Sequence, residues 1–331
     1  MLSQSDIITL NKGDALDHFL IVKKCELRTS KTNKQFLALE LADKSISLNS
    51  NMFESFEEIY TKIKAGDIVK VKGTIDDYQG SPQIKVKSIR PANLTDDVTV
   101  MDFLAKSKRD LGEMKKEFFD RAEKISNPKL HALINNIFTE DNFERYSLAP
   151  AGKSWHHSYV HGLLEHTLEI VKICDLMSDS HSEINRDLLV CGAILHDFGK
   201  IEELSFDTAF EYTDKGKLIG HIVIGAMIVE EKIKEIKDFP EDLKNCLIHL
   251  ILSHQGKLEH ASPVVPKTLE AIALYHADEL SAKVNAYKNA IATELKTDSK
   301  WTKFLSLAAT DLFSHGINPE IENQINKSLF D

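Results

Sequence analysis

The strongest constraint in this sequence is a change of hydrophobic period part-way along the chain. Between Asp14 and Pro91 apolar and polar residues mostly alternate, whereas from Val98 onward apolar residues recur at helical spacing. Alternation lets a strand bury one face, and intervals of three and four residues let a helix bury one stripe. The chain is therefore expected to be multi-domain α+β, with a β unit followed by a helical one. Its 331 residues, 42% of them hydrophobic, are enough for each unit to bury its own core.

Five segments of the first part read as strands: FLIVKKCELR, QFLALELAD, SISLN, DIVKVKGTI and QIKVKSIR. Between the third and fourth, Phe53, Phe56, Ile59, Tyr60 and Ile63 fall at helical spacing, so a helix is expected over residues 53–65. Three strands, a helix and two strands is the order of a five-stranded OB-fold β-barrel, which binds single-stranded nucleic acid on one face. Lys70, Lys72, Lys85 and Lys87 alternate along the last two strands and are expected to share an outer face, with Tyr78 adding a stacking platform. Lysines on a solvated strand edge also prevent aggregation, so the alternation by itself fits either role.

Composition narrows the function classes. The net charge is −10, yet residues 1–95 carry 14 basic and 12 acidic side chains, leaving 27 and 39 for the rest. The N-terminal part is thus the expected polyanion contact. Cys25, Cys174, Cys191 and Cys246 stand far apart with no C-x-x-C pair, which argues against a disulfide framework and a thiolate zinc site. The opening MLSQSDIITLNKGD lacks the features of a signal peptide, and no window reaches the roughly 18 apolar residues of a membrane span. A cytoplasmic location with no membrane partner is expected.

The expected organisation is an OB-fold over residues 1–95, a helical connector over 96–149, an all-α catalytic domain over 150–313, and a polar tail over 314–331. In the helical part, VMDFLAKSKRDLGEMKKEFFDRAEKI and NPKLHALINNIF read as long amphipathic helices. Polar residues with metal-binding chemistry then recur in apolar contexts: His166 in GLLEHT, His196 and Asp197 in LHDFGK, His221 in LIGH, His254 in ILSHQG and Asp278 in YHADEL. Helices that turn such side chains to a common point build metal sites in bundles. Imidazole and carboxylate ligands without thiolate suit Mn²⁺, Fe²⁺, Co²⁺ or Zn²⁺ and do not choose among them. A lone histidine on a helix is more often structural, and His131, His181, His249, His260, His276 and His315 are read that way.

The order H…HD…H…H…D centred on LHDFGK resembles the HD-domain metal-dependent phosphohydrolases over roughly residues 150–290. An OB-like unit ahead of it, with WHHSYVHGLLEHT and HQGKLEHASPVVPKTLEA, makes most of the chain similar to the YhaM-type 3′-to-5′ exoribonucleases. The resemblance implies one ion on His166, His196, Asp197 and Asp278. It implies a second on His221 and His254, with Asp197 as the bridge. Mn²⁺ is the first choice and Co²⁺, Fe²⁺, Zn²⁺ or Mg²⁺ the alternatives. Two ions roughly 3.5–4 Å apart suit phosphodiester hydrolysis, with Asp197 catalytic as the bridge. Lys200 would offset charge on the phosphate. His156 and His157 would lie two to three turns before His166 on a continuous helix; they are assigned to substrate-phosphate contact, or to proton transfer to the leaving oxygen. Two residues depart from the family pattern: His161 stands where Gly is usual, and His254-Gln255 where His-His is usual.

The favoured reading is an exonuclease shortening single-stranded RNA, with DNA as a further substrate, to nucleoside monophosphates. Assembly as a homo-oligomer is compatible with it. One alternative keeps the HD chemistry on a small nucleotide such as a nucleoside triphosphate, an alarmone or a cyclic dinucleotide, for which a strand-binding unit has little use. Another is a nucleic-acid adaptor with a degenerate metal site, suggested by Gln255 and opposed by the intact His166, His196, Asp197 and Asp278.

Overall fold

The structure, a computed structural model, describes residues 4–30, 33–78, 80–153, 155–205, 210–295 and 299–315. The chain divides into two compact units. The described residues of 1–105 and 290–315 fall in one, and those of 106–205 and 210–289 in the other.

In the first unit β1 (Ala15–Thr29), β2 (Gln35–Ala42), β3 (Ser47–Met52), β4 (Ile68–Tyr78) and β5 (Ser81–Pro91) close into a barrel of order β1-β2-β3-β5-β4. This is the expected five-stranded OB-fold. All neighbours pair antiparallel except β3 with β5, where Asn49 lies opposite Gln83 in parallel. The inward phase of the alternation supplies the barrel core, including Leu20, Leu37, Leu39, Val69, Val71 and Ile84. Each such side chain contributes about 1.5–3 kcal/mol by leaving water. The helix is shorter than its periodicity suggests: α1 spans Glu57–Lys62 only. Ser55 adopts φ 52°, a left-handed conformation that cannot propagate a helix, and Phe53 stacks on Phe36 instead.

The second unit is helical. Its helices are α2 (Leu111–Ala122), α3 (Pro128–Ile137), α4 (Glu140–Leu148), α5 (Gly162–Ser180), α6 (Arg186–Leu195), α7 (Lys200–Glu203), α8 (Asp214–Ile219), α9 (His221–Lys234), α10 (Glu241–Ser253) and α11 (Leu269–Thr293) as far as Asn289. It is not purely α, because β6 (Leu204–Ser205) and β7 (Glu211–Tyr212) pair antiparallel. The expected connector helices are structurally part of this unit: Phe118 of α2, Leu133 of α3 and Tyr146 of α4 share one apolar core with Leu164, Leu189 and Leu250. The first of them starts late. Residues 100–102 form a 3₁₀ turn, and α2 begins only where Asp110 caps it by accepting from the Glu113 N–H at 2.9 Å.

Among the described residues no helix is long and apolar enough to cross a membrane. The polar tail expected over 314–331 lies outside the described residues apart from Ser314 and His315.

Candidate metal centre

Helix ends deliver the expected ligands. His196 and His254 cap the C-termini of α6 and α10, and His221 is the first residue of α9. Two C-terminal helix ends favour positive charge nearby. His166 projects from α5 and Asp278 from α11. The turn carrying Asp197 reaches α9 because residue 199 is glycine. A Cβ there would lie 2.1 Å from the His221 carbonyl oxygen and 2.7 Å from the Gly225 nitrogen.

Asp197, fully enclosed, is the hub. Its Oδ2 lies 3.3 Å from His196 Nε2, 4.0 Å from His166 Nε2 and 2.7 Å from Lys200 Nζ. Its Oδ1 lies 3.3 Å from His221 Nε2 and 3.6 Å from His254 Nε2. Asp278 Oδ1 adds a contact of 3.0 Å to His166 Nε2. One carboxylate thus faces a histidine pair with each oxygen, and all six expected ligands converge.

The far side of each ring is already engaged. Nδ1 of His196 donates to the Ala193 carbonyl and Nδ1 of His254 to that of Ile251, both at 2.8 Å. Nδ1 of His221 donates to Glu203 Oε1 at 3.0 Å, and Nδ1 of His166 to Ser281 Oγ at 2.9 Å. With the proton on Nδ1, each Nε2 directs a lone pair inward at carboxylate oxygens. His196 Nε2, His221 Nε2 and Asp197 Oδ1 accordingly have no hydrogen-bond partner although they are buried. Lone pairs converging on an anion are repulsive unless a cation lies among them, so the donor set fits a divalent metal.

Protonation follows the same arrangement. Burial, then the neighbouring imidazoles, keep His166 well below its ordinary value, and burial takes His254 down to about 4. Burial also opposes the charge on His196, but Asp197 outweighs it and raises that group. Burial disfavours the Asp197 anion, yet Lys200 and His196 hold its carboxyl well below the usual range. Lys200, itself buried, also donates to the Ala151 carbonyl.

His156 and His157 are not on a helix leading to His166. The helix begins at Gly162, and the preceding loop places their rings 4.8 and 5.0 Å from the His166 ring. The tight return needs Gly162, where a Cβ would lie 2.0 Å from the His157 carbonyl oxygen. His156 is half-buried, and burial with the charges of His166 and Lys200 brings it down to about 2. His157 is wholly buried.

On the barrel, the basic side chains divide. Lys70 and Lys72 pair with Asp17 at 2.9 and 3.2 Å, and Lys70 also lies over the Phe19 ring. Lys85 and Lys87 are exposed on β5. Tyr78, 62% exposed, is six residues beyond Lys72, or about 20 Å of strand. It lines a groove of about 250 Å³ with Lys24, Arg28, Asn49, Asn51 and Gln83 rather than joining Lys70 and Lys72. Beside Arg28, Phe36 and the 58% exposed Phe53 stack at 5.0 Å. The sequence reading missed this pair. Its signal was Phe36, an aromatic in the outward phase of QFLALELAD.

Comparison with known proteins bears on both units. Residues 163–283 match the HD domain family, and residues 21–92 match the OB-fold nucleic acid binding domain family. The 3′-5′ exoribonuclease YhaM of Oceanobacillus iheyensis is 34% identical over 84% of this chain and 87% of its own length. Those of Bacillus subtilis and Listeria monocytogenes are each 32% identical over 84% of this chain and 88% of theirs. The chain belongs to the YhaM family. In this YhaM-family chain His161 adopts φ 69°, the left-handed conformation that glycine takes most readily, and its Nδ1 is held 2.5 Å from the Ser147 carbonyl oxygen. The Gln255 side-chain nitrogen lies 3.3 Å from His254 Nε2, beside the atom directed at Asp197.

Proposed function

We propose that this protein is a metal-dependent 3′-to-5′ exoribonuclease that hydrolyses single-stranded RNA to nucleoside monophosphates in the cytoplasm, with DNA as a second substrate. The observation that carries the reading is Asp197, whose two oxygens each meet a separate pair of imidazole Nε2 atoms. Two ions fit that division, with Mn²⁺ the first choice. His166, His196, Asp197 and Asp278 would hold one, and His221, His254 and the bridging Asp197 the other. Bound there, such ions supply Lewis acidity to a phosphate and acidify water.

The protein's own groups do the rest. Asp197 fixes the spacing between the two halves of the centre, and Glu203 holds His221 by accepting from both its Nδ1 and its backbone N–H. Lys200 contributes positive potential where the phosphate gains charge. His156, half-buried next to His166, is the histidine suited to meet a phosphate oxygen. His157, with no exposed surface, is not placed to contact a phosphate. On the barrel, Tyr78 and the Phe36–Phe53 pair offer stacking surfaces, with Lys24, Arg28, Lys85 and Lys87 for the backbone.

The direction of cutting rests on the relatives' activity. A time course on 5′-labelled single-stranded RNA with Mn²⁺, repeated with EDTA, is expected to give a metal-dependent ladder shortened from the 3′ end. The His196→Ala, Asp197→Ala protein is expected to bind the RNA without trimming it. Intact RNA with every divalent metal, or preferential hydrolysis of mononucleotides, would replace this reading with a small-nucleotide phosphohydrolase.

A further inference from the structure

A second group of ligand-type side chains lies behind the centre, and the proposed activity makes no use of it. Glu165 and Glu169 stand one turn apart on α5, with His157 from the preceding loop against them. One ligand atom from each of the three lies within 4.8 Å of the other two. His157 Nε2 is 3.3 Å from Glu169 Oε2. Among the described residues no lysine or arginine pairs with either carboxylate, and neither His157 Nε2 nor Glu165 Oε2 has a hydrogen-bond partner, although both are buried. We propose that His157, Glu165 and Glu169 form a further divalent-cation site, separate from the Asp197 centre, for a transition metal of the Mn²⁺–Zn²⁺ class.

Three observations carry it. First, two carboxylates a helical turn apart repel one another, and Glu165 Oε2 meets that repulsion out of contact with solvent. Second, the imidazole is fixed in place. His157 holds φ 41°, strained for a side chain with a Cβ, and its backbone N–H donates to Asn285 Oδ1 at 2.8 Å while its carbonyl accepts from Ala151 N–H at 3.1 Å. Its Nδ1 faces His156 Nδ1 at 3.4 Å, which leaves Nε2 as the atom directed at the carboxylates. Third, a proton cannot satisfy the group. The Tyr159 hydroxyl is hydrogen-bonded to the Glu165 side chain but leaves its Oε2 unpartnered, and a proton on Nε2 would serve Glu169 alone, whereas a divalent ion serves all three atoms. One imidazole with two carboxylates is a donor set for Mn²⁺, Fe²⁺, Co²⁺ or Zn²⁺.

The site would also bear on the neighbouring centre. Glu169 Oε2 accepts from Ser281 Oγ at 2.6 Å, and that hydroxyl accepts from His166 Nδ1. An ion on Glu169 is therefore one hydroxyl away from a ligand of the Asp197 centre. It would anchor both the loop that carries His156 and the orientation of the His166 ring.

Equilibrium dialysis of the chelator-stripped full-length protein against Mn²⁺, with bound metal counted per chain, tests this. Glu165→Gln, Glu169→Gln protein, nearly isosteric, is expected to bind one equivalent fewer than wild type. His196→Ala, Asp197→Ala protein is expected to keep one equivalent, and the combination of all four changes to keep none. Equal binding by wild type and the Glu165→Gln, Glu169→Gln protein overturns the proposal and leaves the Asp197 centre standing. Unchanged binding by His196→Ala, Asp197→Ala protein instead refutes the Asp197 centre alone. Should the double glutamine variant fail to fold, Glu165→Gln alone in the His196→Ala, Asp197→Ala background is expected to weaken the remaining equivalent by about tenfold or more. Unaltered affinity there also overturns the site.

Discussion

Lys200 and Asp197 form an ion pair at 2.7 Å in which both side chains are almost fully buried. Changing Lys200→Met keeps the length of the stem and removes the charge, so the Asp197 carboxylate loses its nearest cation. Breaking a buried pair from one side costs about 3–5 kcal/mol. For a unit of roughly 150–250 residues each kcal/mol moves the melting temperature by about 2–4 °C. The metal-free variant is therefore expected to melt about 6–20 °C below metal-free wild type in a calorimetric scan. Saturating Mn²⁺ is expected to recover most of that loss, because cations beside Asp197 replace the missing ammonium charge, while RNA hydrolysis stays depressed. A metal-free variant as stable as wild type would refute the reasoning. So would a deficit that metal leaves untouched, since the lysine would then act through its bond to the Ala151 carbonyl and not through its charge.

Three further outcomes are expected. Phe53→Ala removes half of the exposed stack with Phe36 and should weaken single-stranded RNA binding by about 1–3 kcal/mol, the worth of one stacked base, in fluorescence anisotropy; unchanged affinity would take the pair out of the interface. Gly199→Ala forces a Cβ against the backbone of α9, so it should destabilise the fold by about 1–3 kcal/mol and weaken metal binding by displacing His221, both readable by calorimetry; wild-type affinity would show that the turn yields elsewhere. Hydrogen bonds from Arg90 and from the Asn93 N–H hold Asp96 down to about 2 from an ordinary 3.8, so its stabilisation is complete above about pH 4 and is lost as pH falls towards 2. A carboxyl titration by NMR should show this and should move upward in Arg90→Ala protein; an ordinary value in wild type would mean that the pair does not form.

Much of the molecule was legible because period and position coincide. The inward phase of QFLALELAD is the barrel wall, and LHDFGK places His196 and Asp197 at a helix end where adjacent residues can face one cavity. Where reading failed, backbone conformation or a distant partner decided the outcome. The spacing of Phe53, Phe56 and Ile59 is helical, but Ser55 in a left-handed conformation cuts the helix short. WHHSYVHGLLEHT resembles a helix entry, yet the left-handed His157 and His161 fold the loop back so that His156 meets His166. Periodicity cannot register such a reversal. The lysine platform divided for another reason: Asp17, far away in sequence, comes opposite Lys72 only once β1 pairs with β4. The Glu165 and Glu169 pair carries no signal in the sequence, because two glutamates four residues apart gain a third ligand-type side chain only when the loop brings His157 against them.

The way the barrel closes has a dynamic consequence. Pairing of β1 with β2 extends from Ile21 opposite Ala42 to Thr29 opposite Gln35, whereas β3 and β5 are registered at Asn49 and Gln83. The β3–β5 seam therefore has the fewest ladder bonds to break, and amide hydrogen exchange should be fastest there within the barrel. Asn49 and Gln83 also line the groove beside Tyr78. Breathing at the seam would widen that groove while the β1–β2 and β4–β5 ladders stay intact, so exchange at Asn49 and Gln83 is expected to precede exchange in either ladder.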